Sequence, residues 1–270
     1  MSTNQTVSIE YTGKTAIITL DNPKKLNALS RDDYYRLAAL LREIAQREEI
    51  LVTLLLGKGR FFSAGADISS QSPDLGTMDP RHFWLPALAV NNIELADAFY
   101  SHPKILVTAL NGPAIGLSAA MIAHSDLIFA TPEAYLLTPF SSLGLVTEGG
   151  ASIAFVQRMG ISKAKEALLF SRRITAEELL RSGFVNRILD GGKDEGRFRE
   201  MVRGEIEGWV GGHLLGSSVL GIKELLRAPG DREFGNQAVK EFMGGLRRFA
   251  EGIPQAEFEK IATGAKRHKL

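Results

Sequence analysis

The sequence predicts an α/β protein whose strands are joined by crossover helices. Short apolar runs such as residues 105–110 are typical of buried strands, and several of them are followed by a glycine-containing turn and a helical segment. Of the 270 residues, 44% are hydrophobic and 23% are charged, which is ordinary for a globular protein with one substantial core. No fixed repeat of roughly 20–50 residues is visible, so we do not expect a solenoid of the usual kind.

Composition excludes several classes of function. The 32 basic and 31 acidic residues leave a formal charge of +1, so no global field recruits nucleic acid or an anionic membrane surface. The absence of cysteine excludes a thiol nucleophile, a disulfide framework and a thiolate metal site. No run reaches the ~18 consecutive apolar residues of a membrane span. These patterns predict a soluble, intracellular protein.

The first half of the chain alternates between strand and helix signals. Residues 7–11 and 15–20 read as two strands around a turn, the pattern of a β-hairpin. Ser30, followed by Asp33 three residues later, is typical of a helix N-terminus. Further strands are predicted at 51–56, 105–110, 127–130 and 134–137, and helices at 83–100 and 117–123. Residues 69–82 are rich in turn-forming residues and predict a surface loop.

The second half is predicted to be mainly helical. Helical patterns cover residues 149–159, 163–170 and 176–182, and they continue beyond Arg197. Glycines between 204 and 212 indicate where the core ends. We therefore divide the chain into a core at 1–200 and a C-terminal helical segment at 201–270.

Two strand-to-helix turns place backbone N–H groups beside glycines. Gly65-Ala66 lets the chain approach a ligand closely, and Gly116-Leu117 opens an apolar helix whose N-terminus carries unpaired amides. Two such amides directed at one oxygen would form an oxyanion hole. Either turn taken alone is more typical of a purely structural turn.

Taken together, these turns belong to a longer series of motifs. The series runs from Asn22-Pro23 and Asn27-Ala28-Leu29, through residues 61–67 and 111–116, to Asp126 and Leu143-Gly144-Leu145. In this order and spacing it resembles the crotonase, or enoyl-CoA hydratase/isomerase, superfamily. The resemblance implies a crotonase-type spiral of ββα units followed by a helical C-terminal trimerisation segment.

The resemblance also assigns a binding site for an acyl-CoA. It implies that the amides of Ala66 and Leu117 bind the thioester oxygen, and that coenzyme A lies along a short series of residues. That series is Ala28, Ala66, Ile68 and Leu117. Coenzyme A is part of the substrate, so no metal or separate cofactor is expected.

The acid–base residues distinguish among activities within the superfamily. Alignment of the glycine motifs puts Ala120 and Phe140 where family hydratases carry two glutamates, and neither side chain can carry a proton. A carboxylate reappears at Glu148, in a Thr-Glu-Gly-Gly element that resembles the peroxisomal Δ3,Δ2-enoyl-CoA isomerases. The alternative for Glu148 is a first-turn helix carboxylate favoured by the helix dipole.

This resemblance implies that Glu148 removes a proton from C2 of a 3-enoyl thioester and returns it to C4, giving the 2-trans-enoyl product. Asn92 either orients Glu148 or a bound water, or is a polar residue on a helix surface. Two rival functions remain open at this point: a dienoyl-CoA isomerase, and a non-catalytic acyl-CoA-binding protein with the same fold.

The last residues, His268-Lys269-Leu270, resemble a peroxisomal import signal. They predict recognition by a peroxisomal import receptor and location in the peroxisome matrix. The resemblance further predicts a homotrimer or hexamer.

Overall fold

The computed structural model of the protein describes residues 6–68, 75–192 and 194–266. The predicted import signal at 268–270 lies outside these residues, as does the part of the predicted surface loop at 69–74. Within the described part, two β-sheets are surrounded by helices, which confirms the predicted α/β class.

The larger sheet has six strands in the order β1-β2-β3-β4-β6-β9, and the smaller one has three in the order β5-β7-β8. The strands are β1 Val7–Thr12, β2 Thr15–Leu20, β3 Val52–Gly57, β4 Ile105–Leu110, β5 Ala114–Ile115, β6 Leu127–Ala130, β7 Tyr135–Leu137, β8 Ile174–Thr175 and β9 Arg187–Ile188. The hairpin β1–β2 is antiparallel, and every other pairing in the larger sheet is parallel.

The helices are α1 Arg31–Ala45, α2 Pro80–Ala89, α3 Leu95–Tyr100, α4 Leu117–Ile122, α5 Ala151–Phe170, α6 Ala176–Ser182, α7 Glu195–Val210, α8 Gly216–Arg227, α9 Asp231–Ala250 and α10 Ile253–Ala262. Helix α1 begins as predicted: the Ser30 hydroxyl accepts from the Asp33 amide, and the Asp33 carboxylate accepts from the Ser30 amide.

The side chains of the central strands point alternately into two apolar cores, so the larger sheet is buried on both faces. Leu106 and Leu110 of β4 face the core formed with α1, α3, α4 and α5, whereas Val107 and Ala109 face the opposite core. Parallel strands covered by helices on both sides are expected to be largely apolar, and in β3 and β4 the polar exceptions are the buried Thr53 and Thr108.

Two predicted helical regions contain local departures from α-helical geometry. Between α2 and α3 the chain forms a π-helical segment, Val90–Glu94, so the predicted helix at 83–100 consists of three parts. The predicted break between residues 159 and 163 is a kink in α5, where Gly160 has the non-helical angles φ 74° and ψ 158°.

The C-terminal helices contribute to the core of the molecule. Helix α7 crosses the predicted boundary at residue 200 and buries Phe198, Val202 and Ile206 against the larger sheet. Further along, α9 and α10 form a third apolar cluster with Trp84 of α2. The division at residue 200 stays a prediction. Among the described residues, no helix has the length and hydropathy needed to cross a membrane.

Asn27 joins the segment before α1 to the turn that follows β3. Its side-chain amide donates to the carbonyls of Lys58 and Phe61, each at 2.8 Å, and lies 3.2 Å from that of Phe62. Its oxygen accepts from the Asn22 amide at 2.8 Å. The side chain is fully buried, and among the described residues the one other side chain that donates to these carbonyls is Asn111, at 3.4 Å from that of Phe61.

Replacing Asn27 with alanine should therefore lower the free energy of unfolding by about 3 kcal/mol, because buried carbonyls would be left without a donor. Asn236→Ala, at an exposed position of α9, is the matched control and should change stability by less than about 0.5 kcal/mol. Urea unfolding measures both. Equal midpoints for the two variants would contradict this account of Asn27.

Candidate active site

The two glycine turns meet at a cavity of about 340 Å³, a volume within the usual range for small-molecule sites. Its wall combines residues of α1, both turns, α2 and the C-terminal helices. The lining residues include Ala28, Tyr34, Gly65, Ala66, Ile68, Trp84, Leu117, Phe140, Leu145, Glu148, Phe249, Phe258 and Ile261. The wall is mostly apolar, which suits an acyl chain.

Backbone hydrogen bonds hold the two turns against each other. The Ile115 amide donates to the Ser63 carbonyl at 2.9 Å, and the amides of Phe62 and Ser63 donate to the Pro113 carbonyl at 3.1 and 3.2 Å. Ser63 and Ala114 form an isolated parallel bridge. The distance between the turns is thus set by main-chain atoms.

Gly65 is required where the turns come closest. Its φ of +86° lies in the left-handed region, and a Cβ atom placed there would lie 2.8 Å from the Ile115 carbonyl oxygen. In the second turn, Gly116 also has a positive φ, +57°, and its amide donates to the Leu137 carbonyl. These glycines allow the next amide in each turn to face the cavity.

The next residues are Ala66 and Leu117. Among the described residues, neither backbone amide donates a hydrogen bond to a protein acceptor. Leu117 is the first residue of α4, where a helix leaves its N–H groups unpaired and positively polarised. Two free amides on one apolar wall can stabilise negative charge that develops on a ligand oxygen.

A chain of buried hydroxyl groups reinforces the two turns. The Ser63 hydroxyl donates to the Asn27 carbonyl at 2.8 Å and lies 2.8 Å from the Ser118 hydroxyl, which lies 3.3 Å from that of Tyr34. Each hydroxyl has one proton, so Ser118 donates to Ser63 and Tyr34 donates to Ser118. The chain connects α1 to both turns, and the sequence prediction missed it.

Glu148 lies on the wall of the same cavity, in the loop before α5. Burial raises the pKa of its carboxyl to about 7, and the negative charge of Glu241 adds to the shift. The Asn92 side chain, presented by the π-helical segment, interacts with the Glu148 carboxyl and lowers its pKa. A carboxyl with a pKa near neutrality can both accept and return a proton at physiological pH.

Asn92 is almost fully buried and not on a helix surface, so the surface-residue alternative raised by the sequence is wrong. Its side-chain oxygen has no hydrogen-bond partner within the described ranges. Tyr34 lines the cavity as well, and burial raises the pKa of its hydroxyl, with the charge of Glu148 adding to the effect.

The structure brings five of the six site residues singled out in the sequence together on one cavity, and the sixth, Asn92, interacts with Glu148 from outside its lining. Ala28, Ala66, Ile68, Leu117 and Glu148 all line it. At the two positions aligned with hydratase glutamates, Phe140 forms part of the wall and Ala120 is buried in α4. The described residues contain no group of three or more His, Asp or Glu side chains able to hold a metal ion.

Comparisons with known proteins identify the family of this chain. Residues 10–202 match the family model described as enoyl-CoA hydratase/isomerase. The chain belongs to the enoyl-CoA hydratase/isomerase family. This confirms the crotonase resemblance, and enoyl-CoA isomerase activity is supported by full-length relatives in this family.

Two such relatives carry different isomerase names. A Delta(3,5)-Delta(2,4)-dienoyl-CoA isomerase of Pyricularia oryzae is 53% identical over 97% of this chain and 98% of its own length. A 3,2-trans-enoyl-CoA isomerase of Saccharomyces cerevisiae is 31% identical over 99% of this chain and 98% of its own length. An enoyl-CoA hydratase/isomerase structure from Pseudoalteromonas atlantica T6c, 26% identical, superimposes with a TM-score of 0.83 over 98% of this chain and 100% of that one.

Gly65→Ala tests whether the closeness of the turns matters for this family member. The new Cβ would push the turn away from Ile115 and misplace the Ala66 amide, so we expect kcat to fall by roughly tenfold or more. Gly235→Ala is the matched control, because Gly235 lies in α9 with open space around its Cβ position and no positive φ. Steady-state rates of the two variants, with thermal unfolding as a check, should differ clearly; similar rates would contradict the prediction.

Proposed function

We propose that this protein is a Δ3,Δ2-enoyl-CoA isomerase, which converts a 3-enoyl-CoA to its 2-trans isomer in the oxidation of unsaturated fatty acids. The observation that supports this most strongly is one cavity containing two unpaired amides and the raised-pKa carboxyl of Glu148. Asp67 also lines the cavity, but it is paired with Lys25 at 2.8 Å. Glu148 is therefore the carboxylate assigned to proton transfer.

The first step is removal of a proton from C2. The ionised Glu148 carboxylate takes the proton, and the electron pair of the C–H bond moves into the thioester, forming a dienolate. The amides of Ala66 and Leu117 hold the resulting oxyanion; removing one donor of this kind typically costs roughly 3–4 kcal/mol of transition-state stabilisation.

In the second step the protonated Glu148 gives the same proton to C4. The dienolate collapses, the C2–C3 double bond forms, and the carboxylate is regenerated. One base is sufficient because C2 and C4 are separated by a single carbon. Water addition is disfavoured because Ala120 and Phe140 offer no group to activate a water molecule.

The second candidate function is the conversion of a 3,5-dienoyl-CoA to a 2,4-dienoyl-CoA. The name and identity of the Pyricularia oryzae relative favour it. This reaction moves a proton from C2 to C6, across three intervening carbons, so Glu148 would need either a longer reach or a second proton carrier. Helix α4 provides no acidic residue in its Leu117–Ile122 span.

Glu148→Gln should lower kcat by ~10³ or more without loss of folding, because the amide cannot accept the C2 proton. Glu133→Gln, at an exposed position, is the control and should retain full activity. Activity would be measured with 3-cis-enoyl, 3-trans-enoyl and 3,5-dienoyl-CoA substrates of several chain lengths.

The substrate panel separates the candidate functions. Faster turnover of 3-enoyl substrates supports the proposal, and faster turnover of 3,5-dienoyl substrates replaces it with the second candidate. Binding of acyl-CoA without turnover of any substrate would identify the protein as a non-catalytic binder. A fully active Glu148→Gln variant would disprove the assigned base.

The pH dependence of kcat/KM should report the ionisation of Glu148. The reaction begins with the ionised form, so activity is expected to rise with pH through a midpoint near 7, the pKa of Glu148 in the folded protein. Below this midpoint the carboxyl already carries a proton and cannot take another. A profile that is flat between pH 5 and 8, with the enzyme folded throughout, would contradict this assignment.

We also propose that the protein assembles as a homotrimer or hexamer. Helix α8 and the residue before it expose Leu215, Leu225 and Leu226, with exposed fractions of 70%, 74% and 79%, which would be covered in an oligomer. Peroxisomal location and recognition by an import receptor stay predictions that rest on His268–Leu270.

A further inference from the structure

A carboxylate is buried on the inward face of the C-terminal helix α9. Glu241 is only 4% exposed and shares this face with Phe234, Ala238, Leu246 and Phe249. A carboxylate removed from water is costly unless several donors compensate for its lost hydration. Its presence on an otherwise apolar face therefore indicates a specific partner.

The partner is the first turn of α5. Glu241 accepts from the Gly150 amide at 2.7 Å and the Ser152 amide at 3.0 Å, and the Ser152 hydroxyl also donates to it. The residue at the N-cap of α5 is Gly150, which has no side chain to cap the helix. Glu241 supplies this cap from another helix, and its charge complements the positive end of the α5 dipole.

The capped turn is continuous with the loop that carries the base. Glu148 lies two residues before Gly150, and both Gly149 and Gly150 have positive φ angles, +70° and +77°. A Cβ atom on Gly149 would collide with the Met121 side chain of α4. The loop thus follows a narrow path between α4 and α9, and Glu241 is hydrogen-bonded to its end.

Helix α9 also packs on the other neighbours of the base. The Cβ position of Gly244 lies 3.0 Å from the Val146 side chain, and that of Gly245 lies 3.8 Å from the Asn92 amide nitrogen. Because glycine occupies these two positions, α9 can lie close to both Val146 and Asn92. The loop that carries Glu148 and the Asn92 side chain are therefore both supported by α9.

We propose that Glu241 is a positioning residue for the isomerase: it holds the Glu148 loop in place and puts a second negative charge behind the base. This inference rests on the proposed function. Isomerisation requires a base that keeps the C2 proton long enough to return it at C4, and a nearby negative charge strengthens that hold.

The other groups around Glu148 do not duplicate this charge. The Tyr34 hydroxyl of α1 is neutral, and Asn92 is uncharged. His124, which contacts the Gly149 carbonyl at 2.8 Å, has its pKa lowered to about 4 by burial and is neutral at pH 7. Arg31 and Asp67 line the same cavity, but neither contributes to the pKa shift of Glu148, for which burial comes first and Glu241 second.

The test compares pH profiles of kcat/KM for the full-length wild type and Glu241→Gln. Removing the negative charge favours the ionised form of Glu148, so the midpoint of the acid limb should move about one pH unit lower. The plateau kcat should also fall by roughly tenfold, because the base is weaker and its loop is less firmly held. Glu233→Gln, an exposed residue of the same helix, removes the same charge and should leave both values unchanged.

Glu241→Asp is the second variant and covers the case in which Glu241→Gln does not fold. It keeps the charge but is one methylene shorter, so kcat should fall while the midpoint stays near that of the wild type. An unchanged midpoint in folded Glu241→Gln, or unchanged kcat in Glu241→Asp, would overturn the inference.

Glu148→Gln is assayed in parallel. This variant distinguishes a failure of the proposed function from a failure of the inference about Glu241. If that variant is active, the proposed base is wrong. If it is inactive while Glu241→Gln has the wild-type profile, the base stands and Glu241 serves only stability.

Discussion

The contact between the two glycine turns is the constraint on which the active site depends. Main-chain hydrogen bonds join Ser63 to Ile115 and Pro113, and the gap between the turns has no room for a side chain at Gly65. Two amides reach the cavity only because the turns approach this closely. Side chains can vary around such a site without moving the two amides, because these N–H groups belong to the backbone.

A second layer of buried polar groups fixes these turns to the rest of the fold. Asn27 joins the first turn to the segment before α1, and the hydroxyl chain from Tyr34 through Ser118 to Ser63 joins both turns to α1 itself. These groups lie in an apolar interior, where a polar atom without a partner is costly. The same bonds that stabilise the fold therefore limit the movement of the two unpaired amides.

Much of this architecture could be predicted from the sequence, because its signals are local. Strand β4 and helix α6 have the predicted bounds, and the capping box of Ser30 and Asp33 marks the start of α1. The amide pair and Glu148 could be singled out only through the family resemblance, since neither turn alone distinguishes a site from an ordinary turn. Glu241 could not be found, because its partners lie 91 and 89 residues away and a single acidic residue gives no signal in a helical pattern.

The placement of α9 and α10 affects how the enzyme matures during synthesis. The two glycine turns and Glu148 lie in the first 148 residues of the chain, whereas Phe249, Phe258 and Ile261, which also line the cavity, belong to the last two helices. A growing chain would therefore hold its chemical groups before it holds a closed, water-excluding pocket. Closure of the pocket therefore depends on the packing of α9 and α10, and a chain that lacked these helices would leave Glu148 and the two amides open to water.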